Sequence, residues 1–190
     1  MARRHGKTFL DSLQLAFWLV GILFVVKAIE MLTHTDLARF GIVPRDTHGL
    51  AGVLFSPLLH GNATHLLANA LPLFVLLALL FWDRKYNPAQ TLAAIWIGSG
   101  IGTWLIGRGE SNGQLTVHVG ASSIIYGLVT YLIVAGFLLS SWRAMAIALL
   151  VGIVYGGIFY GALPQSGPIS WEGHLCGAVV GAWTAHKQHG

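Results

Sequence analysis

Long apolar runs separated by short polar breaks set the pattern of this chain. Six runs can be drawn: Phe9 to Leu32, Thr64 to Trp82, Thr91 to Ile106, Ala121 to Leu139, Ala144 to Ala162 and Gly173 to Ala185. A transmembrane helix needs about 20 mostly apolar residues, so the pattern predicts an all-α membrane protein built as a six-helix bundle. The sixth run is short for a full crossing and rich in glycine, which predicts a helix packed inside the bundle. The longest connection, Thr33 to Ala63, is broken into short pieces by Pro44 and Pro57. No stretch is long enough for a separate soluble domain, so residues 1–190 read as one core with short terminal tails. The first run lacks a small-residue cleavage site and is expected to be retained rather than removed as a signal peptide.

Composition sharpens this reading. Of the 190 residues, 55% are hydrophobic and only 9% are charged, against about 25% charged in ordinary soluble domains. So few charges cannot cover a water-facing surface, which excludes a soluble globule and intrinsic disorder. One cysteine, Cys176, excludes an intrachain disulfide and any CxxC metal or redox motif. The net charge of +4 points to nucleic acid only until the basic residues are located. Arg3, Arg4, Lys7, Arg84, Lys85, Arg143 and Lys187 fall on one side of a six-span bundle, whereas Arg39, Arg45 and Arg108 fall on the other, with Lys27 near the outer end of the first helix. The positive-inside rule makes the first side cytoplasmic. Both termini are then cytoplasmic, the expected location is the plasma (cell inner) membrane, and no nucleic-acid partner is expected.

Polar groups inside membrane helices are costly and mark function by default. The second helix opens with His60, Asn62, Thr64 and His65, and Asn69 shares a face with His65 four residues earlier. The fourth opens with Gly120-Ala121-Ser122-Ser123, and Tyr126 lies on the face of Ser122. The sixth opens with Trp171-Glu172-Gly173-His174, with Gly177 and Gly181 along a stripe near His174. All three enter from the outer side, so these residues are expected at one depth. A serine, a histidine and spare hydrogen-bond donors at one depth form an acyl-transfer constellation. A hydroxyl is a weak nucleophile that needs a base, an imidazole titrates near neutrality, and His65, the Asn69 amide and the Ser122 N–H could meet the oxyanion. Glu172, two positions from His174, points to another side of the helix, so the reading is a Ser-His dyad. Counted from Ser122, the fourth helix spans roughly 27 Å, which sinks the serine below the outer surface. The stretch from Asn112 to Val119 must then enter the bundle as irregular backbone, tolerated only beside water or buried in protein.

These motifs resemble the rhomboid intramembrane serine proteases. His60-x4-His65-x3-Asn69 is similar to the family's second-helix signature, Gly120-Ala121-Ser122 with Tyr126 to its nucleophile motif, and His174-x2-Gly177-x3-Gly181 to the motif carrying its base. The resemblance implies Ser122 as nucleophile, His174 as general base and an oxyanion site lined by His65 and Asn69. It also implies that Tyr126 packs on the His174 ring, His60 orders the outer loop, and Gly177 and Gly181 let the sixth helix approach the fourth. Two departures stand out: Ser123 follows the nucleophile where the family often has glycine, and Ala51-Gly52 occupies the place of a frequent Trp-Arg pair.

The activity implied is cleavage of transmembrane segments near the outer leaflet, favouring helix-weak sequences, with entry past the fifth helix and the cover from Leu163 to Ser170. Substrates would be transmembrane proteins met in the lipid bilayer; the sequence does not fix an oligomeric state. No metal or other cofactor is expected, since no carboxylate faces these histidines and the five-residue step from His60 to His65 spreads them over two helix faces. Cys176 lies on another face from His174 and does not serve as a nucleophile. His34, His48, His118, His186 and His189 read as loop or terminal residues without chemistry. The alternative that remains is a catalytically inactive rhomboid-like protein that binds transmembrane helices.

Overall fold

The computed structural model describes residues 8–111, 113–167 and 169–190. Arg3, Arg4, Lys7, Asn112 and Pro168 lie outside the described residues. Six long helices form, which we number α1 to α6: α1 Phe9–Thr33, α2 Ala63–Trp82, α3 Pro88–Ile106, α4 Ser122–Leu138, α5 Trp142–Tyr155 and α6 Trp171–His189. Their starts follow local chemistry. Thr8 and Asp11 form a reciprocal capping box on α1. The Asn62 side chain accepts the His65 N–H at 2.8 Å to cap α2, and Pro88 opens α3 where its missing N–H costs nothing.

Two helix ends differ from the sequence pattern. The fifth helix leaves α geometry at Tyr155 and continues as a 3-10 helix, Gly156–Ala162. Gly156, Gly157 and Gly161 weaken helical propensity there. The sixth runs from Trp171 to His189, well beyond the apolar stretch, because hydropathy marks where the helix stops being apolar and not where its hydrogen bonds end. The long outer connection holds short helical pieces at Leu37–Phe40, His48–Ala51, Gly52–Phe55 and Ser56–Leu58. A small hairpin pairs β1 (Glu110–Ser111) with β2 (Gln114–Leu115).

α4 is the axis of the bundle: Leu128, Val129, Tyr131, Leu132 and Ala135 have no exposed surface. α6 makes its most extensive contact with α4. A Cβ added to Gly177 would lie 2.0 Å from the Ser123 carbonyl oxygen, and one on Gly181 would lie 2.0 Å from that of Gly127. The Thr130 hydroxyl crosses the same contact to the Ala178 carbonyl at 2.8 Å. Small residues therefore bring the two backbones together, as in other membrane bundles; the glycine face of the sixth helix packs against α4, while Leu175, Val179 and Trp183 on its other side are exposed, so the helix is not enclosed by the bundle. The perimeter carries Phe17, Trp18, Leu67, Leu71, Leu149, Ile153 and Val154, all exposed, the surface that lipid rather than water would cover. Phe9–Thr33, Ala63–Trp82, Arg84–Ile106 and Trp142–Ala162 are long and apolar enough to cross a membrane, and Ser122–Leu138 is shorter but apolar.

The bundle has two chemically different ends. At one, the Phe9 and Trp82 rings meet at 4.5 Å, the Arg143 guanidinium lies 3.6 Å over Trp82, and the Tyr131 hydroxyl meets Gln188 and His189. Arg84, Lys85 and Lys187 border this end in the chain. At the other end, α2, α4 and α6 all begin, and their polar residues meet there.

Candidate active site

α4 begins at Ser122 because the preceding residue pair turns the chain sharply. Gly120 has φ +111°, a conformation open to glycine but strained for other residues. The Gly120 N–H donates to the Ser56 carbonyl at 2.8 Å, which ties the turn to the outer connection. A Cβ at Gly120 would fall 2.7 Å from the His65 ring, so the imidazole lies directly against the backbone that leads into Ser122.

The Ser122 hydroxyl donates to His174 Nε2 at 2.9 Å, and His174 Nδ1 lies 2.8 Å from the Gly161 carbonyl oxygen. A carbonyl only accepts, so Nδ1 carries the proton and Nε2 keeps its lone pair for the serine. The Tyr126 ring stacks on the imidazole, with centroids 4.1 Å apart and planes at 11°, and its hydroxyl donates to the Ile158 carbonyl at 2.7 Å. The Gly161 side chain must be absent for this to fit: an added Cβ would lie 2.0 Å from the Tyr126 oxygen. The 3-10 stretch after α5 thus holds the His174 ring through a main-chain oxygen.

The remaining residues read from the sequence fall around this pair. Asn69 is buried one turn below His65, and its amide donates to the His65 carbonyl at 2.9 Å, leaving its second N–H free of that bond. His60 is 1% exposed and packs edge-on against the His65 ring at 5.1 Å. Burial first, then the charge of His65, pulls the His60 imidazole down to about 4, so it is neutral at pH 7 and suited to ordering the loop. Lys27 reaches the same place, donating to Glu30 at 2.6 Å and to the His60 carbonyl at 3.0 Å. The Ser123 hydroxyl meets that of Ser99 at 3.3 Å. Gly52, at the place of the frequent Trp-Arg pair, sits so close to Gly41 that an added Cβ would be 2.3 Å from its backbone; an arginine could not occupy it.

A cavity of about 20 Å³ opens beside Ser122, lined by Ser56, Thr103, His118, Ser123 and Ser170 among others. That is room for roughly one water. His118 lies in the connection before α4, as the sequence reading had it, but inside the protein rather than at its surface. It is 4% exposed and forms an antiparallel bridge with Ile42 through two bonds of 2.8 and 2.9 Å. Its Nε2–H donates to the Arg108 carbonyl at 3.0 Å, so Nδ1 accepts the Ser170 hydroxyl at 2.5 Å. Burial holds its pKa below the ordinary value. Gly161, Arg108 and Ser170 were likewise not singled out from the sequence. A carbonyl partner leaves no mark on residue type, and these contacts join positions 10 to 64 residues apart. Among the described residues, no group of three or more His, Cys, Asp or Glu could hold a metal.

Comparison with known proteins extends the motif match to most of the chain. A family model of the Rhomboid domain matches residues 47–189, which takes in all three motifs and the whole of α2 to α6. The chain is also similar to an uncharacterized protein of Mycobacterium tuberculosis (strain H37Rv), 44% identical over 170 residues covering 88% of this chain and 71% of the relative. An uncharacterized protein of Mycobacterium bovis gives the same figures. One from Mycobacterium leprae is 37% identical over 182 residues, covering 89% of this chain and 72% of the relative. With its apolar helices and its motifs gathered at one end of a helical bundle, this multi-pass membrane protein belongs to the rhomboid family.

Proposed function

We propose that the protein is an intramembrane serine endopeptidase that cuts transmembrane segments of other membrane proteins near the outer leaflet. The observation that carries this reading is the 2.9 Å contact between the Ser122 hydroxyl and His174 Nε2, made by a ring whose other nitrogen is committed to Gly161. As the serine oxygen attacks the scissile carbonyl carbon, its proton passes to Nε2. The imidazolium that forms is stabilised by the Gly161 carbonyl dipole and by the face of Tyr126. Negative charge on the former carbonyl oxygen is met by the Ser122 N–H, which as the first in α4 lies outside the helical ladder, with His65 and the Asn69 amide beside it. His174 then hands its proton to the departing amine, and a water in the adjoining cavity attacks the acyl-enzyme.

A helical substrate has its carbonyls tied up in hydrogen bonds, so the cut region must unwind before Ser122 can reach it. Segments with Gly, Pro and small residues near the cut are therefore favoured. We place the end bordered by Arg84, Lys85, Arg143 and Lys187 on the cytoplasmic side of the plasma membrane, with both termini. The direct test is reconstitution in liposomes with a reporter transmembrane segment, together with labelling by a fluorophosphonate. Cleavage and a covalent adduct on Ser122 are expected. Failure of both would instead favour an inactive relative that binds transmembrane helices.

Asn69 gives a narrower prediction. Its Ala variant should keep KM while kcat falls by roughly 10²- to 10³-fold, the usual effect of removing one oxyanion donor. Melting in detergent should show only a modest loss of stability. Unfolding of the variant, with no folded species left to assay, would make Asn69 a structural residue.

A further inference from the structure

The sequence pattern leaves Arg108 as an unassigned charge in an outer connection and sets Glu172 aside from the site. The structure joins them. Glu172 is 1% exposed, sits in the first turn of α6, and pairs with the Arg108 guanidinium Nε at 2.7 Å. The Arg108 main-chain N–H also donates to the same carboxylate oxygen at 3.2 Å. The two remaining guanidinium nitrogens donate to the carbonyls of Gln165, at 3.2 Å, and Ile169, at 2.5 Å. The guanidinium thus holds two carbonyls by hydrogen bonds and the Glu172 carboxylate by charge, on the segments that flank the candidate base, a spread of contacts that a planar arginine head supports better than a lysine ammonium.

Both segments lead to His174. Glu172 and His174 are two residues apart on one helix, about 200° around its axis, so pinning Glu172 to Arg108 on one side fixes the direction of the imidazole on the other. Gln165 donates to the Gly161 carbonyl at 3.4 Å, the same oxygen that receives the His174 Nδ1–H. The main chain of Arg108 is tied back through His118, whose other ring nitrogen meets Ser170, and the Ser170 carbonyl receives the His174 N–H at 3.2 Å. Every link in this network ends on the turn or the carbonyl that aims the base.

We propose that Arg108 is a positioning residue that sets the His174 ring against the Ser122 oxygen, acting through Glu172 and through the Gln165 and Ile169 carbonyls. This rests on the reading of Ser122 and His174 as a catalytic pair. The arginine touches no reacting atom, so its loss should appear in turnover rather than in substrate binding.

The test compares Arg108→Ala, Arg108→Lys and the double variant Arg108→Ala with Glu172→Gln, the last removing the carboxylate that the first leaves buried and unpaired. Each is reconstituted with the reporter segment and separately treated with a fluorophosphonate, whose reaction needs no transmembrane substrate. In the double variant, kcat should fall by roughly 10²-fold with KM within about twofold, the size of effect expected of a small misplacement of a catalytic group. The labelling rate should fall in parallel while melting and gel filtration match the wild type. Arg108→Lys should recover only part of the loss. A folded double variant with wild-type kcat and labelling overturns the proposal, as does a change confined to KM. A wild-type protein that neither cleaves nor labels overturns the catalytic reading and this proposal with it, whereas a reactive wild type with unimpaired variants overturns this proposal alone.

Discussion

Replacing Ser122 by alanine is expected to abolish cleavage of a reporter transmembrane segment while the protein remains folded. The hydroxyl donates one hydrogen bond, to His174 Nε2, and its side chain borders a cavity rather than a filled core. Little packing is lost, and alanine is at least as good a helix former at that position. The chemical loss is of another order. When nucleophile and base act as a unit, removing either costs on the order of 10⁶-fold in turnover, about 8 kcal/mol of barrier. His174→Ala should match it, and the double variant should be no worse than either. Ser123→Ala is the matched control. Its hydroxyl makes a long 3.3 Å contact with Ser99, so activity should be retained. Full activity in Ser122→Ala, or its loss only in Ser123→Ala, would reassign the nucleophile.

Gly177→Val should have the largest effect on the fold. The added Cβ would lie 2.0 Å from the Ser123 carbonyl oxygen and 2.8 Å from its carbonyl carbon. Those are backbone atoms of α4 one residue past Ser122, and no rotamer change moves them. α6 would have to back away along its main contact with α4, carrying His174 with it. We expect destabilisation at or beyond the upper end of the ~1–3 kcal/mol usual for an overpacked core, with loss of the Ser122–His174 contact in whatever folds. Thermal melting and monodispersity in detergent measure the first, fluorophosphonate labelling the second. Gly152→Ala is the contrast, since nothing lies within 4 Å of its added Cβ; it should leave stability equal or slightly raised by better helical propensity. Equal behaviour of the two variants would mean that the close approach of α6 to α4 does not hold the bundle together.

The two experiments separate what each part of the chain contributes. Ser122 tests chemistry at almost constant structure, and Gly177 tests the backbone contact that makes the chemistry geometrically available. Arg108 lies between them, since it leaves both the nucleophile and the helix contact in place and alters only the aim of the base.

Much of this protein is legible in its order of residues. Apolar length alone yields the six helices, because a span without enough apolar side chains cannot lie in hydrocarbon and one with too many cannot lie in water. His65 with Asn69, and Ser122 with Tyr126, can be paired from four-residue spacing because a regular helix places such positions on one face. The close approach of α6 was visible in Gly177 and Gly181, since absence of a side chain is itself written in the sequence. What the tertiary structure alone decided is where the other partners lie. The hydrogen-bond acceptor that orients His174 is the main chain of Gly161, and a carbonyl oxygen is common to every residue. His118 became part of the site wall only because Ile42 pairs with it from another connection. Arg108 and Glu172 met across 64 positions, and a charge shows its sign in a sequence but not its counter-ion. Local periodicity is a property of one helix, whereas these contacts depend on how three connections cross above the bundle, and side-chain patterning carries no information about that crossing.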